Sequence, residues 1–524
     1  MWINRSFFRL VPLLGMLQAG VALPSAAEAP LSAIDWLSQS VATPATLPRV
    51  APMPPGARAP TKTGVPQPGA ITVAPLGQRP PVGLGLVTAS RSGLPLDIWA
   101  KSQSGELARL LRAERPDALP AVRGLLYTLL LAEFAPPKDG DPQNAVFLAR
   151  IDKLLDLGAL EPALALLEML EKPDPESFRR WFDVSLLVGE EERACRVMTA
   201  TPQIAPTFPA RIFCLARGGD WNAAALSLRT GTTLGTIDPS MDALLARFLD
   251  PDLFEEDGDL PPPERPSPLV LRLMEAIGQP LPTATLPVAF AQADLRSNSG
   301  WKARIEAGER LSRTGAIPPN RLLGLYSEQK PAASGGVWER VRGVQTLEAA
   351  LTARDPEAVA ASLAPVWDQM QAQELEVPFA QIFGGRLAAL DLPGEAGQLA
   401  FRIGLLSESF ETVALRRTAA NEAEAFLIGV ARGEADGLVA PDQMGVAVQA
   451  AFAAKTPVLD DDTTGLLSEG RLGETLLKAI DQITMGASGD LREVTSGLAL
   501  LRHVGLEKIA RQAALELLLL ERRG

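Results

Sequence analysis

The sequence predicts an all-α protein, a helical-repeat solenoid in two lobes, preceded by a disordered Pro-rich segment. Three observations lead there. Aromatic residues make up only 5% of the chain, with 2 Tyr, against abundant Ala and Leu. Ala and Leu are strong helix formers, whereas strands favour β-branched and aromatic side chains. Apolar residues then recur at helical spacing, beginning with Leu107, Leu110 and Leu111. Finally, a turn pattern repeats at intervals of 31 and 30 residues: Gly158 with Ala163, Gly189 with Ala194, and Gly219 with Ala224. A fixed period in this range is the mark of stacked helix pairs.

The chain opens with a segment that reads as a secretory signal over residues 1–27. Arg5 and Arg9 supply the positive start, Leu10 to Leu17 the apolar run, and Ser25-Ala26-Ala27 the small residues that a signal peptidase reads. The alternative is an uncleaved N-terminal anchor. No Cys lies near the cleavage site, which excludes lipoprotein anchoring, and no later segment is long enough and free enough of charge to span a membrane. The expected location is the periplasm, or outside the cell.

Residues 28–95 then read as a disordered, Pro-rich tether. Twelve prolines fall between Pro44 and Pro95, and no acidic residue occurs between Asp35 and Asp97, while Arg49, Arg58, Lys62, Arg79 and Arg91 make the stretch basic. Such a segment favours extended conformations and cannot build a core. At its start, Leu31 to Leu37 has the features of one short helical turn: Ser32 as cap, Asp35 three residues on, and Leu31 and Trp36 placed as a hydrophobic staple. Leu31, Ile34, Trp36 and Leu37 are the candidate partner-binding residues, docking on another protein or back on the body; Trp36 is the foremost, because Trp anchors often dominate binding energy.

The body divides on sequence grounds into a helical lobe over 96–260, a linker over 261–268 and a second helical lobe over 269–524. The linker follows an acidic stretch, Asp250 to Asp259, and begins with Pro261-Pro-Pro263. That acidic stretch lacks the ligand spacing of a calcium loop, since the first ligand position would fall on Leu253. Gly505 with Ala510 repeats the turn pattern near the C-terminus, and Asp355 with Ala360 is a looser version. The last helix, about 506–521, is apolar nearly all round, which implies burial on more than one side.

Arg217-Gly-Gly-Asp-Trp-Asn-Ala-Ala224 resembles the turn and second-helix start of tetratricopeptide-like repeats. The resemblance covers about three units over 147–228. Its period is shorter than the 34 residues of that family, and Ile151, Phe182 and Ile212 stand where the family favours small residues. It implies helix pairs stacked as a solenoid, an architecture that usually binds proteins or peptides.

Composition restricts the chemistry. The chain holds one histidine, His503, and two cysteines, Cys195 and Cys214. Histidine-based metal sites and His-assisted nucleophiles therefore have little to work with. Cys195 and Cys214 fall on consecutive expected helices, so a disulfide is geometrically open to them in an oxidising compartment; two separate buried thiols are the alternative. The net charge of -12 disfavours nucleic acid as a partner. No catalytic, cofactor or metal residues are assigned and no cofactor is expected. The sequence thus leads to an exported helical-repeat scaffold or adaptor that binds a protein in the cell envelope and has no transmembrane segment in its mature chain. The alternative is a cell-wall-associated enzyme or its accessory subunit.

Overall fold

The protein is known from a computed structural model, which describes Ile34, Trp36, Leu37 and residues 83–453 and 459–520. The expected signal segment, Leu31 and most of the Pro-rich stretch lie outside the described residues. Those described are helical throughout, with no strand among them and one isolated bridge between Val87 and Ala132.

In chain order the helices are α1 (Ala89–Ser92), α2 (Ser104–Ala113), α3 (Pro120–Leu131), α4 (Ala145–Asp156), α5 (Leu160–Glu168), α6 (Pro175–Val188), α7 (Glu191–Ala200), α8 (Phe208–Arg217), α9 (Trp221–Thr233) and α10 (Pro239–Leu249). From α3 to α10 each packs on the next. After residues 261–267 come α11 (Pro268–Ala276), α12 (Ala291–Asp294), α13 (Trp301–Arg313), α14 (Pro319–Ser327), α15 (Val337–Ala353), α16 (Pro356–Gln371), α17 (Glu376–Leu387) and α18 (Gly394–Leu405). The chain ends with α19 (Phe410–Arg416), α20 (Glu422–Arg432), α21 (Gln443–Ala453), α22 (Asp461–Ser468), α23 (Leu472–Ala487), α24 (Leu491–His503) and α25 (Glu507–Leu519). Local sequence starts many of them. Side chains of Asp174, Thr207, Asp220, Asp238, Ser267, Asp355, Asn421, Asp460 and Asp490 accept hydrogen bonds from first-turn amides. Each such cap contributes about 1 kcal/mol.

The repeated turn has one physical form. Gly158, Gly189, Gly219 and Gly505 have φ of 77°, 85°, 85° and 86°, a region that glycine reaches without the Cβ clash other residues meet. The next amide reaches back to the carbonyl five residues earlier: Ala159 to Leu154, Glu190 to Ser185, Asp220 to Leu215, and Leu506 to Leu501, at 2.8 to 3.0 Å. This closes the end of one helix and starts the next at a fixed angle. The residue five after each glycine (Ala163, Ala194, Ala224 and Ala510) is completely buried. At the looser site the left-handed residue is Arg354, one before the Asp of the sequence pattern, and Val359 is the buried residue five on. Glu374 with Phe379, Gly470 with Thr475 and Gly489 with Val494 repeat the device. Ile151, Phe182 and Ile212 are fully buried core residues.

The described residues from Ile34 onward belong to one compact unit. Its main apolar core runs from Leu37 to Ala293 and takes up again from Phe401 to Leu515; a second is built by residues from Ile305 to Leu406. Helices far apart in sequence share the main core: α25 packs on α3 and α20, and α23 on α2 and α3. Two contacts hold this junction. Buried Glu516 on α25 accepts from the Ala121 amide at 2.9 Å, placing a carboxylate at the positive start of α3. Trp99 lies directly over Gly473, where an added Cβ would come within 2.0 Å of the indole. Elsewhere Arg150, buried on α4, donates to the carbonyls of Leu130, Ala132 and Leu84, so Leu84, within the Pro-rich stretch, is fastened to the buried carbonyl end of α3. Burial lowers the pKa of Arg150 to about 10; its neighbours are carbonyl dipoles rather than a carboxylate.

Candidate functional site

Of the short N-terminal motif, the structure places Ile34, Trp36 and Leu37 against the body. Leu37 is buried in the main core, and Ile34 and Trp36 pack on it. The Trp36 ring meets buried Phe290 edge to face, with centroids 5.5 Å apart. Phe290 sits in a short 3-10 turn, Val288–Phe290, just before α12. Cys195 on α7 and Cys214 on α8 are joined as a disulfide with Cα atoms 5.0 Å apart, tying two helices that also pack on each other.

A second apolar feature lies on α9 and α10. Trp221, at the start of α9, is 50% exposed and tilts against Phe248 at 6.2 Å. Phe248 in turn stacks on Phe213 at 5.7 Å, and Arg247 lies over Phe254 at 5.6 Å. Leu226 and Leu234 on the outer side of α9, and Leu253 after α10, are among the most exposed large apolar side chains described. The cause is positional. Two residues after the turn glycine, the first two units have buried Leu160 and Glu191, while the third has exposed Trp221. The inner side of α9 packs on α8 and α10, and its outer side meets solvent. Just after Phe248 in the chain, Asp250, Asp252, Glu255, Glu256, Asp257 and Asp259 are all exposed, so the Trp221–Phe248 pair is followed by an acidic border. Trp221 belongs to the turn motif visible in the sequence, but its exposure depends on what covers α9, which the sequence does not display.

Buried charges elsewhere are engaged in packing. Asp152 on α4 is held between Arg180 on α6, at 2.6 Å, and Arg112 on α2, at 3.2 Å. Glu309 on α13 accepts from Arg340 on α15 and from the Tyr326 hydroxyl on α14; burial and this carboxylate push the Tyr326 pKa well above its usual value. Such clusters fix which helices meet.

A cavity of about 320 Å³ opens where the start of α3, the end of α13, the start of α17 and Leu520 converge. Arg123, Arg310 and Arg313 line it, with Asp117, Glu374 and Glu376. Burial, and then Arg313, lower the pKa of Arg310. Among the described residues there is no group of three His, Cys, Asp or Glu that could hold a metal ion, and no helix is long and apolar enough to cross a membrane. No family model, no curated protein and no solved structure matches the chain.

Proposed function

We propose that this chain is an exported helical-repeat adaptor, related in design to tetratricopeptide-like proteins, that binds a protein partner in the cell envelope. The observation that carries this reading is the exposed Trp221 patch with its acidic border. Exposed Trp residues beside other apolar side chains are frequent centres of binding energy, and half-exposed Trp221 lies against Phe248. The border sets the partner's chemistry: an apolar anchor flanked by Lys and Arg. The N-terminal residues 1–27 support export, and the repeated glycine turns support the solenoid class.

The test is cross-linking in the native cell envelope, followed by binding of the captured partner to the purified chain. Trp221→Ala is expected to weaken that binding by about tenfold or more, the loss typical of a hot-spot residue. Rising salt is expected to weaken it too, because exposed charges are screened. A partner that binds the Trp221→Ala chain as tightly as the unaltered one, without salt dependence, refutes this placement. A parallel chain lacking residues 28–95 reports whether the N-terminal region contributes.

A further inference from the structure

We infer that the cavity at the junction of α3, α13 and α17 is a binding site for the carboxylate end of a small zwitterion, an amino acid or short peptide. The inference stands apart from the adaptor reading and uses none of its surface. At about 320 Å³ the cavity lies at the lower end of the range of small-molecule sites, roughly 300–1,000 Å³. Three of its lining residues, Arg123, Arg310 and Arg313, have the chemistry of anion recognition. Arg310 donates through Nη1 and Nη2 to the carbonyls of Thr283 and Leu286, at 2.9 and 2.7 Å. Arg313 donates through Nε and Nη2 to the carbonyl and side-chain oxygens of Gln373, at 2.7 and 3.1 Å. These contacts fix both guanidinium groups but go to neutral oxygens, so they leave the positive charge in place. A guanidinium has five N–H donors, and four such bonds leave donors of both groups for a ligand in the cavity they line. Buried Arg123 enters the same space from α3, with Nη1 held by the Ala118 carbonyl at 3.0 Å. Planar guanidinium groups pair with carboxylates through two parallel bonds.

The rest of the lining narrows the ligand. Pro120, Val288, Pro378 and Leu520 make part of the wall apolar. Asp117 and Glu374, both exposed, and Glu376, buried, balance the three arginines, which works against polyanions such as nucleotides and favours a ligand without net charge. Glu374 is held in a left-handed conformation, φ 54°, by the turn between α16 and α17. Arg313 is held by Gln373, the residue before exposed Glu374, so guanidinium and carboxylate line the cavity side by side and match the adjoining carboxylate and ammonium of an amino acid or short peptide.

The experiment is calorimetric titration of the full chain with leucine, Ala-Ala and Ala-Leu. Each is compared with its C-terminal amide and its N-acetyl form. The free acids are expected to bind, with the amides weaker by on the order of tenfold, as for loss of a charge-assisted hydrogen bond. Arg310→Gln is expected to abolish binding, and circular dichroism checks that it folds. Arg313→Lys, which keeps the charge but loses the fork, serves as the second variant and is expected to weaken the acids selectively. Glu374→Gln is expected to remove the preference for the free amine while leaving the N-acetyl acids unaffected. Absence of binding by all three acids, or equal binding of acids and amides by the unaltered chain, overturns the inference.

Discussion

Glu114, which caps the end of α2, is buried to 6% exposure, and its titration offers a direct check on the packing between the two ends of the body. Its pKa is raised to about 8, first by burial and then by Asp481 on α23, with Lys153 on α4 opposing. In the unfolded chain the same group titrates near 4.5. Because the folded value is the higher one, the folded state holds the proton more tightly between these limits. The associated stability is complete below about pH 4.5, declines as pH rises, and is gone above about pH 8. At 1.36 kcal/mol for each pH unit the interval sets a ceiling of about 5 kcal/mol. Effective dielectrics in real interiors are nearer 20 than 4, so we expect about 2 kcal/mol. Glu114→Gln keeps the size of the side chain and removes the titration. The variant should match the unaltered protein near pH 5 and exceed it by about 2 kcal/mol near pH 8. Urea unfolding followed by helical circular dichroism across this pH range measures the difference. A difference that does not grow with pH, or that grows with the opposite sign, refutes the assignment of Glu114 as a buried, protonated group.

Other perturbations test other parts of the structure. Cys214→Ala opens a disulfide spanning 19 residues and should cost about 3 kcal/mol by chain entropy, read as a lower urea midpoint; no change would mean that the bond contributes nothing to folding. Arg180→Ala strips a fully buried partner from Asp152. It should cost about 3 kcal/mol, with a smaller loss for Arg180→Ala combined with Asp152→Ala, measured as a double-mutant cycle. Trp36→Ala removes the edge-to-face contact with Phe290 and should lower stability by about 1 kcal/mol. Unchanged stability would mean that the ring does not stay on Phe290 in solution.

The all-helical class was legible because it depends on local quantities. Ala and Leu content, apolar spacing, capping side chains and turn glycines act within a few residues, and each is visible in the sequence. Gly158, Gly189, Gly219 and Gly505 were readable as turns, since only a left-handed residue joins two helices so tightly. The turn at Arg354 was legible only one residue late, at Asp355, and the one at Glu374 was not legible, because packing there imposes a conformation that those residue types seldom choose. Neither Trp221 nor the arginine cavity could be read as a site. Exposure of Trp221 depends on what covers α9, and the cavity gathers Arg123, Arg310 and Arg313 from two helices with Glu374 from the turn before a third.

By itself, then, the sequence determined the helical class, the glycine turns and the restriction on histidine and metal chemistry. Tertiary structure alone decided that α23 and α25 share a core with α2 and α3, that Trp36 lies on Phe290, and that three arginines meet at one cavity. Helix formation is governed by interactions between residues three or four apart, which a linear sequence displays. Which helical faces meet across some 400 residues depends on shape and charge complementarity, as between Glu516 and the Ala121 amide, 395 positions apart, and appears only when the chain is folded.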